Sequence, residues 1–261
     1  MSRLDRLYIG TNTKMFKTAS EAGEHIARLN ELTRDIDDSR MTLFVIPSYT
    51  SLAQAVKVRG RVKIGAQNMG WEERGQFTGE ISPLMLSELG VDMVMVGHSE
   101  RRHVLHETDE EEQKKVACAL GHGFTVLLCV GETLRQKEHN ISDEVLAIQL
   151  KIGLELVRPE QLDRVMVAYE PVWAIGTAGI PADENYADAR HAGIKDTLCG
   201  MFGEPGRDVP VLYGGSVNRG NCEPLIRKSN IDGLFIGRSA WDADNFSEII
   251  HTVLPLFENR R

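Results

Sequence analysis

The sequence predicts an α/β chain that closes into a single (β/α)₈ barrel domain over residues 1–261. Three observations predict it. Eight short β-branched runs recur along the whole length, with helical patterning between them. The runs are nearly continuous in apolar residues, as parallel strands covered on both faces require. Polar and Gly-rich residues follow several of the runs around the whole series. In a doubly wound open sheet, the other architecture this pattern allows, they would cluster at one switch point.

In chain order the predicted strands are Leu7–Asn12, Thr42–Pro47, Lys63–Gln67, Met93–His98, Thr125–Val130, Val165–Glu170, Val211–Gly215 and Leu234–Gly237. A helix is predicted over Glu21–Ile36, with Ile26, Leu29, Leu32 and Ile36 on one side. Thr18 and Glu21 have the spacing of a capping box at its start. Thr108 and Glu111 repeat that signal for a helix stopped by Gly121. Asp188–Met201 and Phe246–Phe257 read as two more helices. No linker, low-complexity tract or charge block marks a second domain.

Composition narrows the function. Apolar residues make up 42% of the chain, and no apolar run reaches the length of a membrane span. The first residues lack the apolar core of a signal peptide. Cys118, Cys129, Cys199 and Cys222 lie far apart, so neither a metal site nor a disulfide framework is expected, and a cytoplasmic location is. A net charge of −8 with no basic run argues against a nucleic-acid partner. It leaves room for a small anionic substrate held by backbone N–H groups and one lysine.

The chemistry-bearing residues follow the strands, and all strand C-termini face one end of a barrel. Glu170 ends the sixth strand and is followed by the stiff Pro171-Val172-Trp173 segment and a loop containing Gly176. A glutamate after a strand is, by itself, usually a salt-bridge or capping residue. Here the order of strand, carboxylate, rigid hinge and small loop suits a general base under a closing cap. Asn12 and Lys14 follow the first strand and point the same way, so Lys14 can steady negative charge as it develops.

His98 ends the fourth strand, with Ser99 placed to cap a short helix and Glu100-Arg101-Arg102 to order the site through ion pairs. A histidine at a helix N-terminus is expected to stay neutral and donate to a substrate oxygen. Gly214-Gly215-Ser216 after the seventh strand and Gly237-Arg238-Ser239 after the eighth can each aim N–H groups at an anion. With Gly176 they could surround a phosphate, at the loops where barrels build that site. The long Gly65–Glu80 loop carries Trp71 and Phe77 and reads as a partner surface.

Together these segments resemble the triosephosphate isomerase family. The resemblance is carried by Asn12-x-Lys14-Met15, Ala66-Gln67-Asn68, Phe77-Thr78-Gly79-Glu80, the run Gly97–Arg102, Cys129-Val130-Gly131-Glu132-Thr133, the run Ala168–Thr177, and Tyr213-Gly-Gly-Ser216-Val217. It implies a homodimeric barrel without metal or organic cofactor. It makes Glu170 the base, His98 the electrophile, and Lys14 and Asn12 their polar partners, with Glu100 beside them. It assigns phosphate to Gly176, Ser216, Gly215, Gly237 and Arg238, and has Thr78 brace the other subunit's site.

Several positions depart from the family pattern. Thr13 stands where the family has Trp, and Phe16 where it has Asn. The hinge reads Ala178-Gly179-Ile180-Pro181, and Arg238 replaces a second glycine, losing easy access to positive φ. With the runs Tyr186–Arg190 and Ile236–Trp241, these departures are similar to a branch of the family whose members isomerise erythrulose phosphates in tetritol catabolism. That similarity implies conversion of L-erythrulose 1-phosphate to D-erythrulose 4-phosphate through an enediol, with Thr13, the hinge and Arg238 as the changed positions. The other readings are a glycolytic isomerase of triose phosphates and, remotely, a barrel that binds a sugar phosphate without turning it over.

Overall fold

A computed structural model describes residues 3–176, 179 and 181–260. Thr177, Ala178 and Ile180, which belong to the cap and hinge read from the sequence, lie outside the described residues. The strands are β1 Leu7–Asn12, β2 Met41–Ile46, β3 Lys63–Ala66, β4 Met93–Val96, β5 Thr125–Val130, β6 Val165–Tyr169, β7 Val211–Tyr213 and β8 Gly233–Ile236. They form one closed barrel in sequence order, every pair parallel. Closure is made where β1 pairs β8, from Tyr8↔Gly233 to Thr11↔Ile236.

The helices are α1 Ala19–Leu32, α2 Leu52–Lys57, α3 Pro83–Leu89, α4 Ser99–His103, α5 Asp109–Gly121, α6 Leu134–Glu138, α7 Ser142–Gly153, α8 Glu184–Phe202, α9 Glu204–Arg207, α10 Cys222–Ile226 and α11 Ala243–Glu258. Both capping boxes read from the sequence are present, on Thr18 with Glu21 and on Thr108 with Glu111. α8 and α11 begin earlier than their apolar patterns suggested, because Asp183 and Asp242 cap them. α1 ends at Leu32, and Ile36 reaches the core from the turn beyond it. α5 runs through Gly121; the left-handed residue past its end is Gly123, with φ 86°.

Two apolar layers follow from strand alternation. Leu7 and Ile9 point outward against helices, in a core shared with Ile26, Leu29 and Phe246. Tyr8 points inward, with Phe44, Met95, Cys129, Met166, Leu212 and Phe235 filling the barrel. Gly10 is an inward position where a Cβ would lie 2.3 Å from the Phe44 ring. The bare backbone makes room for the Phe44–Phe235 stack, centroids 5.8 Å apart. Burying each such ring is worth about 1.5–3 kcal/mol. No helix among the described residues is long and apolar enough to cross a membrane.

Candidate active site

β6 delivers Glu170 to the barrel mouth. Its own N–H donates to Val130 O at 2.7 Å, which continues the ladder one residue past the strand. The carboxylate is buried, and its Oε2 accepts the Ser99 N–H at 3.2 Å. Its Oε1 lies 3.5 Å from His98 Nε2. Cys129, fully buried beside Glu170, has its thiol pushed well above the usual range by burial and then by the Glu170 charge. It therefore stays a neutral part of the barrel floor.

β4 ends in a turn through Gly97, at φ 75°. A Cβ there would come within 2.9 Å of the Arg102 and Glu112 side chains. The turn makes His98, not Ser99, the N-cap of α4: His98 Nδ1 accepts the Glu100 N–H at 3.2 Å. Ser99 is instead the first helical residue and spends its N–H on Glu170. A ring nitrogen that accepts a backbone N–H carries no proton. The imidazole proton then sits on Nε2, facing the Glu170 side.

Lys14 occupies a left-handed conformation, φ 50°, that costs a non-glycine residue roughly 1–2 kcal/mol. Two bonds hold it there. Its N–H donates to Asn12 Oδ1 at 2.8 Å, and its carbonyl accepts from Gln67 Nε2 at 2.8 Å. Gln67 also bonds Asn12 Oδ1 at 3.0 Å, so Asn12 is fixed from two directions. The Lys14 ammonium rests on Glu100 Oε1 at 2.7 Å. Glu100 is itself 51% exposed and outside the cavity lining; it contacts Lys14 rather than the cavity.

One cavity of about 260 Å³ gathers Asn12, Lys14, His98, Glu170, Gly176, Gly215, Ser216, Gly237 and Arg238. The sequence had singled out each of these. Ile175, Phe235 and Trp241 also line it and were given no role. Strand alternation could have found Phe235, since it shares the inward phase of β8 with the barrel filling.

Two expectations are corrected at this cavity, and Thr13 is placed outside its lining. The Ser216 N–H is not free but donates to Ala174 O at 3.0 Å. Arg238 opens a 3-10 turn, Arg238–Ala240, without positive φ, so losing a glycine there strains nothing. Thr13 is fully buried with an unpartnered hydroxyl and does not line the cavity, so it does not widen it directly.

Behind Glu170 lies a group that sequence reading quoted but gave no part. Glu132 Oε1 accepts Tyr169 OH at 3.0 Å, Trp173 Nε1 at 2.9 Å and Tyr186 OH at 2.9 Å. The Lys137 ammonium sits 3.5 Å from the centre of the Trp173 ring. Residues flanking Glu170 on both sides are thus tied to one buried carboxylate.

In the 65–80 loop, Trp71 is half-buried under Lys114, 5.2 Å from the ring centre, and is not the exposed aromatic expected. Phe77 and Thr78 are exposed on this chain, and Thr78 is not among the residues lining the cavity. Among the described residues no group of His, Cys, Asp and Glu is arranged to hold a metal ion, and the four cysteines are unpaired.

A closed eight-stranded barrel with carboxylate, imidazole and ammonium around a cavity at its C-terminal mouth defines a barrel of the enzymatic class. The chain belongs to the triosephosphate isomerase family, whose model matches residues 7–253. It is 48% identical over 251 residues to an L-erythrulose-1-phosphate isomerase of Rhizobium etli, covering 95% of this chain and 92% of that protein. Proteins of the same name from Mesorhizobium japonicum and Rhizobium meliloti are similar. The first is 46% identical over 93% of this chain and 95% of its own length. The second is 48% identical over 95% and 96% respectively.

Proposed function

We propose that this enzyme interconverts L-erythrulose 1-phosphate and D-erythrulose 4-phosphate without a cofactor. Glu170 takes the proton from C3 and returns it to C2. The C3 alcohol becomes the ketone as the C2 ketone becomes the alcohol, so the reaction is internally balanced and needs no outside oxidant. The 2,3-enediolate between these states carries the developing charge. His98 Nε2–H, the Lys14 ammonium and the Asn12 amide are its partners, fixed in place before substrate arrives. Glu100 acts by holding Lys14.

The phosphate sits against Gly176, Gly215, Ser216, Gly237 and Arg238. Ser216 would have to release Ala174 to offer its N–H. A homodimer through the 65–80 loop, with Thr78 reaching its partner's site, and a cytoplasmic location complete the reading. The observation that carries it is the 3.5 Å approach of His98 Nε2 to Glu170 on the wall of a cavity that Gly215, Gly237 and Arg238 also line.

Paired steady-state kinetics test it. L-erythrulose 1-phosphate should give a higher kcat/KM than dihydroxyacetone phosphate. One carbon-sized group is worth ~1–3 kcal/mol, or roughly 10–200-fold, from packing alone. Incorporation of solvent deuterium at carbon should accompany turnover. Triose turnover near the diffusion limit, with no tetrulose reaction, would overturn the substrate assignment.

A further inference from the structure

Trp241 touches the site at several points, and nothing above gives it a part. It lines the cavity. Its backbone N–H donates to Arg238 O at 3.1 Å, which closes the Arg238 turn. Its indole Nε1 donates to the Asn12 carbonyl at 2.9 Å, across 229 residues of chain. Its ring packs on Phe16, centroids 4.4 Å apart. Asn12 and Phe16 each lie two residues from Lys14, one on either side. One side chain thus grips the first loop before and after its left-handed residue, and the same residue's backbone closes the phosphate-side turn.

We infer that Trp241 is a positioning residue that couples the Arg238 turn to Lys14, so that phosphate-side contacts and the ammonium approach one ligand in register. The inference rests on the proposed sugar-phosphate site. Its physical basis is that Lys14 is conformationally costly and its backbone is held there by a local bond to Asn12 and a long-range bond from Gln67. Loosening the Asn12 carbonyl lets that loop relax, while its N–H acceptor Asn12 Oδ1 moves with it. Trp241→Phe keeps an aromatic ring to pack on Phe16 and removes the indole donor along with part of the ring.

The test is a double-mutant cycle on the intact chain, read by the affinity of 2-phosphoglycolate, which presents a phosphate and a carboxylate together. Trp241→Phe in the native background should weaken binding about five- to tenfold, the scale of one hydrogen bond. In the Lys14→Met background the same change should cost less than about twofold, because the group it positions is gone. Equal losses in both backgrounds, or no loss in the first, would overturn the coupling.

If Trp241→Phe fails to fold, hydrogen exchange of the Trp241 indole N–H in the unmodified protein gives the answer. Exchange should slow when 2-phosphoglycolate binds, and an unchanged rate overturns the inference. Binding of 2-phosphoglycolate requires no turnover. A chain that binds it with the expected coupling yet converts neither sugar phosphate would refute the proposed reaction alone. A chain that does not bind it refutes both.

Discussion

His98 Nε2 faces Glu170 Oε1 at 3.5 Å, while the second Glu170 oxygen accepts the Ser99 N–H that follows His98. The Glu170 carboxylate and the His98 imidazole are therefore registered through one short peptide. The helix that starts at Ser99 fixes the imidazole by its Nδ1 and the carboxylate by a backbone donor. Replacing Glu170 with Gln preserves shape and removes the proton acceptor. Turnover should fall at least ~10²–10⁴-fold, with circular dichroism and thermal unfolding unchanged. Near-normal turnover would remove Glu170 from the role of base.

Lys14 and His98 should separate kinetically. Lys14→Met deletes a charge that meets the ligand in ground and transition states, and it leaves Glu100 without its cation. Inhibitor affinity and kcat/KM should drop together. His98→Gln should act mainly on kcat, since its donor meets charge that develops only in the transition state. Unchanged inhibitor affinity in Lys14→Met would show that the ammonium does not contact the ligand.

Thr13→Val tests the place of that residue outside the cavity lining. The hydroxyl is buried and unpartnered, so replacing it with a methyl should leave stability unchanged or raise it by up to about 1 kcal/mol. Because Thr13 does not line the cavity, the ratio of kcat/KM values for tetrulose and triose phosphates should stay the same. A large shift in that ratio would place Thr13 among the specificity residues after all.

Glu112 gives a pH dependence with a definite sign. It is fully buried against Arg102, and burial pushes its carboxyl from 4.5 up to about 8. Between those values the folded chain keeps a proton that the unfolded chain has lost. Its contribution to stability is complete below 4.5 and declines as pH rises through about 8, with a slope of up to about 1.4 kcal/mol per pH unit. Thermal unfolding compared across that window should show Glu112→Gln gaining stability over the native chain at the alkaline end. A parallel pH response in both proteins would mean that Glu112 does not titrate this way.

The 65–80 loop should carry the dimer. Phe77 is half exposed, and Thr78 is exposed and does not line its own cavity. Sedimentation should report a dimer, and removing the loop tip should yield a monomer of little activity. A native monomer, fully active at nanomolar concentration, would contradict this assignment.

The sequence by itself determined the eight strands, the closed barrel, and the residues standing at its mouth. Apolar runs such as Val165–Tyr169 leave a parallel strand little choice but burial on both faces, and a residue directly after such a run is carried to the C-terminal end. That is why the placement of Asn12, Lys14, His98 and Glu170 at the mouth was legible from position, while their roles were read from the motifs taken together and the resemblance they carry. The short helices α2, α3, α6 and α10 were not, because five to seven residues hold too little periodicity to read.

Tertiary structure alone decided which group serves which. That His98 caps its own helix depends on the turn at Gly97, which Arg102 crowds from that same helix and Glu112 from α5. That Trp241 grips Asn12 spans nearly the whole chain, and that Glu132 gathers Tyr169, Trp173 and Tyr186 joins three separate segments. Local propensity carries no information about contacts of that range. They exist only once the strands have paired, β1 with β8 for the Trp241–Asn12 bond and β5 with β6 for the Glu132 cluster.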